Sequence, residues 1–299
     1  MEHFLGTSAA FEKHADPLTS CPICGSDTIT LAYYSTFKEL RIQYDRCRAC
    51  GFIFQNPLLH QDVLTYIYES KWYWGLEGNP EVGYLNYLKD REKFIKDYER
   101  RFHKLLAAGM PSTGRLLDVG CGAGYSTYTA KQAGFSATGI EPSEAMCNFA
   151  RTNLGVDVAH TIFETCPVEP GSIDVVTTWG TANNFRDPVA IFSQMRTALR
   201  PGGWVVMDMF DTSSIFAGLV QANFKRVVNA TGRHTRKSLR IAFEKAGFST
   251  CRFIPYVPYF SVSHILQMSP LRHVRFFSQF KDLGIYVPVT GYYLVMATR

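Results

Sequence analysis

The stretch "LLDVGCGAGYSTYTAKQAGFSATGIEPSEAM", Leu116 to Met146, decides the fold. A short apolar run ends in Asp118 and opens into Gly120-x-Gly122-x-Gly124. "YSTYTAKQAG" then reads as a helix closed by Gly134, and "SATGIE" as a second strand ending in Glu141. Glycines at such a turn let backbone approach a ligand closely. A dinucleotide fingerprint would place its third glycine at position 125, where Tyr125 stands. A phosphate loop would continue into Gly-Lys-Ser/Thr, and none follows. The loop is therefore built for neither pyrophosphate nor triphosphate.

The alternation continues outward. "SEAMCNFARTN" reads as a helix capped by Ser143, "IDVVTTW" as a strand, "PVAIFSQMRTAL" as a helix and "GWVVMDMF" as a strand. "TRKSLRIAFEKAG" is a further helix, followed by strands "TCRFIPYV" and "GYYLVMAT". Strand–helix alternation predicts a parallel sheet covered by helices on both faces. The last strand arrives with no evident crossover helix, so it is expected to run antiparallel. In such sheets the ligand sits at the carboxyl ends of the first strands.

The loop, Glu141, Asp174 opening the "IDVV" strand, and "ALRPGGW" at 198–204 together resemble the class I S-adenosylmethionine-dependent methyltransferases over roughly residues 115–210. The resemblance implies a Rossmann-like sheet, S-adenosylmethionine as cofactor and methyl transfer. It implies that Gly120, Gly122 and Gly124 form the cofactor loop and that Glu141 takes both ribose hydroxyls. A carboxylate can accept two such hydrogen bonds. Asp118 would meet the cofactor's ammonium directly or through a water, or else only fix the loop. Ile162 and Phe163, in "HTIFE", fall where the family contacts adenine, although core packing explains them as readily. Trp179 ends the "IDVVTTW" strand on the cofactor side.

Before this core stand "CPIC" and "CRAC". Cys21, Cys24, Cys47 and Cys50 form two tight pairs, the spacing of a four-thiolate zinc site with no open position, hence structural. A ribbon ending in "CGFIFQNP", followed by an aromatic-rich helix, resembles a bacterial methyltransferase subgroup acting on sugars and natural products, deoxysugar C-methyltransferases among them. The expected organisation is a lead-in at 1–19, the zinc ribbon at 20–57, a helical segment at 58–110 and the methyltransferase domain at 111–299. Tyr84, Leu88, Arg91, Ile95, Tyr98, Phe102 and Leu105 mark one helix face of the third part.

The family's usual Glu-His after the fourth strand is replaced by Asn183-Asn184. Asparagine can orient a substrate but cannot remove a proton. A base would have to be His234, His264 or Tyr73. Each also reads as packing, surface or lid, and an acidic acceptor hydroxyl would need none.

The net charge is +5. From Gln221 to Lys281 eleven Lys/Arg face one acid, a local +10 against −5 for the rest. Lys225, Arg226, Arg233, Arg236, Lys237 and Arg240 lie where the family binds acceptors, so an anionic acceptor such as a nucleotide-linked or phosphorylated sugar is expected. A ribosomal-RNA-type methyltransferase is the first alternative. The ribbon's near-neutral to acidic balance opposes it, because phosphate backbones need basic footprints. A non-catalytic cofactor-binding subunit is the second. No apolar run is long enough to span a membrane, and Met1–Asp16 lacks an apolar signal core, so a soluble cytoplasmic protein is expected. Nothing in the sequence sets an oligomeric state.

Overall fold

The computed structural model describes residues 13–37, 40–77, 84, 87–215, 217, 230–261, 283–286 and 291–299. The chain opens with β1 (Ala15–Asp16), β2 (Ile29–Phe37), β3 (Leu40–Cys47), β4 (Ile53–Gln55) and β5 (Leu58–Leu59). Two helices follow, α1 (Gln61–Glu69) and α2 (Arg91–Ala107). The alternating part comprises β6 (Gly114–Val119), α3 (Tyr125–Gln132), β7 (Phe135–Glu141), α4 (Glu144–Phe149), β8 (Asp157–His160), β9 (Ile173–Thr178), α5 (Pro188–Ala198) and β10 (Leu199–Phe210). Then come β11 (Gly232–Arg233), α6 (Arg236–Lys245), β12 (Thr250–Pro255), β13 (Tyr259–Ser261), β14 (Gly284–Tyr286) and β15 (Tyr292–Thr298).

Seven strands form the central sheet in the order β12-β15-β10-β9-β6-β7-β8. β6 to β10 run parallel, and β15 is antiparallel to both β10 and β12. The expected Rossmann-like sheet with its antiparallel last strand is what the protein has. Neighbouring residues along each strand divide between two cores because their side chains point to opposite faces. Leu117, Val176, Val205 and Val295 pack with α5 and α6 on one face. Leu116, Val175, Val206 and Leu294 pack with Phe102 and Leu105 of α2 on the other. Phe192 of α5 and Phe243 of α6 stack at 4.4 Å. Each is fully buried and contributes roughly 2–3 kcal/mol of hydrophobic stabilisation.

Helix caps follow from the sequence at α5 and α6. The Asp187 carboxylate accepts the Ala190 N–H at 3.0 Å, and Thr235 and Ser238 form a reciprocal capping box. At α4 the expected Ser143 cap is not made. The Ser143 hydroxyl has no hydrogen-bond partner, and its N–H donates to Glu141 instead. α2 begins only at Arg91, so Tyr84 and Leu88 precede it. Its buried face carries a charge: Arg101 pairs with Asp97 at 2.7 Å and with Asp208 of β10 at 2.8 Å.

The ribbon is not a detached module. Gly232 and Arg233, expected within the later domain, pair with Phe54 and Ile53 and complete a four-stranded sheet β11-β4-β3-β2. Cys21, Cys47, Cys50, Phe52 and Phe54 share the core of α5 and α6. The Thr235 hydroxyl donates to the Cys50 carbonyl at 2.8 Å. Residues 15–16 of the expected lead-in pair with β5. No described helix is long and apolar enough to cross a membrane.

Candidate active site and cysteine cluster

The parallel strands change direction of succession between β6 and β9, and a cleft lies at their carboxyl ends, as this topology requires. Gly120, Gly122, Glu141, Ile162, Phe163, Trp179, Asn184 and Tyr73 all line it. Residues far apart in sequence are thus gathered into one cavity.

The loop needs its glycines for two reasons. Gly120 and Gly122 have φ of +71° and +54°, a region costly for side-chain-bearing residues. A Cβ on Gly120 would stand 2.5 Å from the Thr181 hydroxyl, and one on Gly122 would run into the Tyr87 hydroxyl. The cleft floor is therefore bare backbone by necessity. Gly124 lies outside the cavity lining and caps α3 in the left-handed conformation.

Glu141 ends β7 and is 3% exposed. Its two carboxylate oxygens accept the N–H groups of Gly122 and Ser143, each at 2.9 Å. Burial nevertheless pushes its carboxyl up to about 7, because desolvation disfavours the charged form. Asp118 does not face the cavity. Its oxygens accept the hydroxyls of Thr177 at 2.8 Å and Thr127 at 2.9 Å. It staples β6 to β9 and to α3, the structural role weighed against cofactor contact, and burial raises it to about 6. The Trp179 indole N–H donates to the Ser126 hydroxyl at 2.6 Å. The Asp208 carboxylate accepts the Gly180 N–H at 2.7 Å, so the Arg101–Asp208 pair steadies the turn beside Trp179.

Facing the glycine loop is a wall of aromatics: Tyr68, Tyr73, Trp74, Tyr84, Tyr87, Phe94 and Tyr98. Tyr84 and Tyr87 meet at 4.6 Å, and Tyr87 and Phe94 at 5.0 Å. Burial raises Tyr84 to about 12 and pushes Tyr87 and Tyr98 well upward. These phenols stay protonated near neutral pH. Tyr73 of this wall is a candidate from the sequence, and Tyr84 and Tyr98 are legible as one helix face; Tyr68, Trp74, Tyr87 and Phe94 read merely as an aromatic-rich stretch. Glu164 and Gln61, also in the lining, carry no sequence signal.

Several expected residues lie elsewhere. His234 is buried against Phe52, with ring centroids 4.7 Å apart, outside the cavity lining. Burial lowers its imidazole to about 4, so it is a packing group at the ribbon joint rather than a base. Arg233 is buried beside Tyr33 and Tyr44 of the ribbon. Arg236 pairs with Asp211 at 2.8 Å, Lys237 donates to the Ala49 carbonyl, and Arg240 stands over the Phe253 ring at 5.0 Å. None of the four lines the cleft: Arg233 is buried, while Arg236, Lys237 and Arg240 keep exposed side chains beside these internal contacts. Asn183 is outside the lining, and its carbonyl accepts the Thr231 hydroxyl. His264, Lys225 and Arg226 lie outside the described residues.

The four cysteines converge as their spacing requires. Cys21 and Cys50 sulfurs are 3.6 Å apart, Cys24 and Cys47 sulfurs 3.5 Å. All four lie within 4.8 Å of one another.

The comparisons with known proteins agree with this geometry. Residues 87–251, more than half of the chain, match a family model described as a methyltransferase domain. A curated ubiquinone biosynthesis O-methyltransferase from Bordetella bronchiseptica is 31% identical over 139 residues, 44% of this chain. The match spans 58% of that relative's length. A magnesium protoporphyrin IX methyltransferase from Synechocystis PCC 6803, solved with bound SAH, superposes with a TM-score of 0.51 at 15% identity, covering 80% of this chain and 99% of the other. A SAM-dependent methyltransferase from Archaeoglobus fulgidus superposes at 0.50 and 14% identity, over 71% and 99%. With its fold, its glycine-loop cleft and the family match all in agreement, the chain belongs to the methyltransferase-domain family and has the Rossmann-like architecture of the S-adenosylmethionine-dependent methyltransferases.

Proposed function

We propose that this protein transfers a methyl group from S-adenosylmethionine to a hydroxyl of a small, flat molecule held in the aromatic cleft. The observation that carries the reading is one cavity lined by both the glycine loop with Glu141 and the aromatic wall. Bound there, S-adenosylmethionine supplies an electrophilic methyl group on a sulfonium. Glu141 would accept the ribose hydroxyls. Ile162 and Phe163 would flank the adenine. Aromatic faces favour a neighbouring cation and exclude water from the reacting atoms.

The described lining holds no Lys, Arg or His, which suits a neutral acceptor better than a phosphate. The curated relatives are named for O-methylation in ubiquinone biosynthesis, in keeping with an aromatic hydroxyl. A phenol ionises near pH 10, so it needs less help from a base than a sugar hydroxyl. Glu164 is the second carboxylate of the lining. It reaches solvent, yet desolvation raises its carboxyl, toward the range a general base needs. Asn184 and Thr181, both in the lining, would orient the acceptor. An anionic sugar acceptor would rest on Lys225 and Arg226, outside the described residues.

The cysteine cluster is read as a structural zinc site. Four thiolates at 2.3 Å from a tetrahedral ion stand roughly 3.8 Å apart, close to the spacing of the two sulfur pairs. The ion would lock the ribbon against α5 and α6.

The test is incubation with labelled S-adenosylmethionine and three acceptor panels: phenols and catechols, nucleotide sugars, and RNA. Label transfer to phenols, lost in Glu141→Ala, supports the reading. Transfer confined to sugars or RNA, or to nothing in a host extract despite cofactor binding, would sink it.

A further inference from the structure

The lead-in strand and the start of α1 assemble a second set of metal-ligating side chains, separate from the cysteines. Ala15 and Asp16 pair antiparallel with Leu59 and Leu58. His14 and His60 come next in register, and the His60 N–H donates to the His14 carbonyl at 2.8 Å. Side chains opposite one another in an antiparallel pair share a face. The two imidazoles meet edge to face, with centroids 6.2 Å apart. Asp62, in the first turn of α1, brings a carboxylate oxygen to 3.4 Å from His14 Nδ1. One ligand atom from each of His14, His60 and Asp62 lies within 4.8 Å of the others. Asp16 holds His60 Nε2 at 3.1 Å and is itself held by Arg186 at 2.8 Å.

We infer that His14, His60 and Asp62 form a site for a divalent transition metal of the zinc, cobalt or nickel class at the rim of the active-site cleft. Two imidazoles and one carboxylate are the donor set such ions take, with a fourth position left to water or another ligand. Calcium and magnesium prefer all-oxygen sets. Bonds of 2.0–2.1 Å in tetrahedral geometry put ligand atoms roughly 3.4 Å apart. The His14–Asp62 pair already has that spacing, and the His60 ring, whose Nε2 faces Asp16 at 3.1 Å, would complete it by rotating toward them. The site borders the cleft. Gln61, between His60 and Asp62, lines the cavity, as does Phe185 next to Arg186. A bound ion ties the lead-in strand and the first turn of α1 to that wall. The competing account is two separate surface pairs, each worth only about 0–1 kcal/mol and binding no ion.

The test compares the full-length protein with His60→Ala and, separately, Asp62→Asn. Each is stripped of loosely held metal with a weak chelator and titrated with Co²⁺ near neutral pH. The His60 side chain makes no capping bond to α1, so its loss should leave the helix intact, and circular dichroism verifies the fold of all three. The expected result is one more Co²⁺ per chain in the wild type than in either variant. That extra ion should give the weak visible bands of nitrogen and oxygen ligands without sulfur charge transfer. The wild-type melting temperature, but not those of the variants, should rise with excess Ni²⁺. Equal stoichiometry in three folded proteins overturns the site. An extra ion bearing thiolate charge transfer does the same, because it places the metal on the cysteines.

Discussion

One carboxylate oxygen of Glu141 accepts the Gly122 N–H at 2.9 Å, across nineteen positions of sequence. The bond fastens the tip of the glycine loop to the end of β7. The second oxygen holds Ser143 in the same way. The carboxylate that would meet a ribose is thus oriented before any ligand arrives, by donors that also shape the loop.

Removing that carboxylate should cost the cofactor most of its affinity. Two hydrogen bonds to a charged acceptor are together worth roughly 3–6 kcal/mol. Glu141→Ala is expected to weaken binding of S-adenosylhomocysteine about a hundredfold by calorimetry. An affinity within a factor of three of wild type would remove Glu141 from the ribose site.

The same residue sets a pH dependence. Its carboxyl is raised to about 7, and ribose hydroxyls bind the ionised form. Cofactor affinity should therefore fall about tenfold per unit below pH 7 and level off above it. Stability runs the other way. The folded pKa exceeds the unfolded value, so Glu141's contribution is fully present below about 4.5 and is lost as pH rises through 7. Between pH 4 and pH 8, Glu141→Gln should gain about 1–3 kcal/mol relative to wild type in urea melts. Parallel curves for the two proteins would contradict the raised value.

Gly122 and Tyr87 should be energetically coupled. Gly122→Ala puts a methyl group against the Tyr87 hydroxyl at a φ of +54°. It should destabilise the protein by about 1–3 kcal/mol and weaken cofactor binding. Tyr87→Phe removes the clashing oxygen and should restore part of the loss in a double-mutant cycle. Strict additivity would mean that the aromatic wall does not press on the loop.

The zinc reading predicts that metal and stability are lost together. In Cys47→Ser, zinc content by emission spectroscopy and melting temperature should fall together, because the cysteines share a core with Phe52, Leu239 and Phe243. Unchanged zinc content would remove the metal reading.

Arg101 is held by Asp97 and Asp208 inside the core. Arg101→Met leaves the buried Asp208 without a cation and Asp97 with only Arg100 at 3.6 Å, and should cost about 3–5 kcal/mol. Asp208 also accepts the Gly180 N–H, so cofactor affinity should fall with it. A melting curve matching wild type would show the network to be dispensable.

Alternation of strand and helix periods, the glycine spacing and the paired cysteines are local patterns. They anticipated the parallel sheet, the antiparallel β15, the loop-and-Glu141 pairing and the sulfur cluster. Helix starts were legible where a side chain could cap, as at Asp187 and Thr235. At Ser143 the helix start was legible too, although its hydroxyl makes no capping bond. α2 was extended too far toward Tyr84, because aromatic spacing continues past the point where the helix begins.

What the sequence by itself determined is the class of fold and the cradle for one cofactor, since a bare backbone turn and an acid at a strand end need only short-range geometry. Tertiary structure alone decided which polar groups are spent internally. Arg233 reads as a phosphate ligand and His234 as a base or a packing histidine; β11 crosses to the ribbon sheet, and both are buried. Asp118 reads as a ligand, yet Thr127 and Thr177 occupy its oxygens. The aromatic wall forms from residues 68–98, and only chain packing shows that their rings close over the glycine loop. A charge or a ring carries its chemistry in the sequence, but its availability is a matter of long-range contacts, and those contacts line the cleft with aromatic rings and leave Arg233 and His234 outside it.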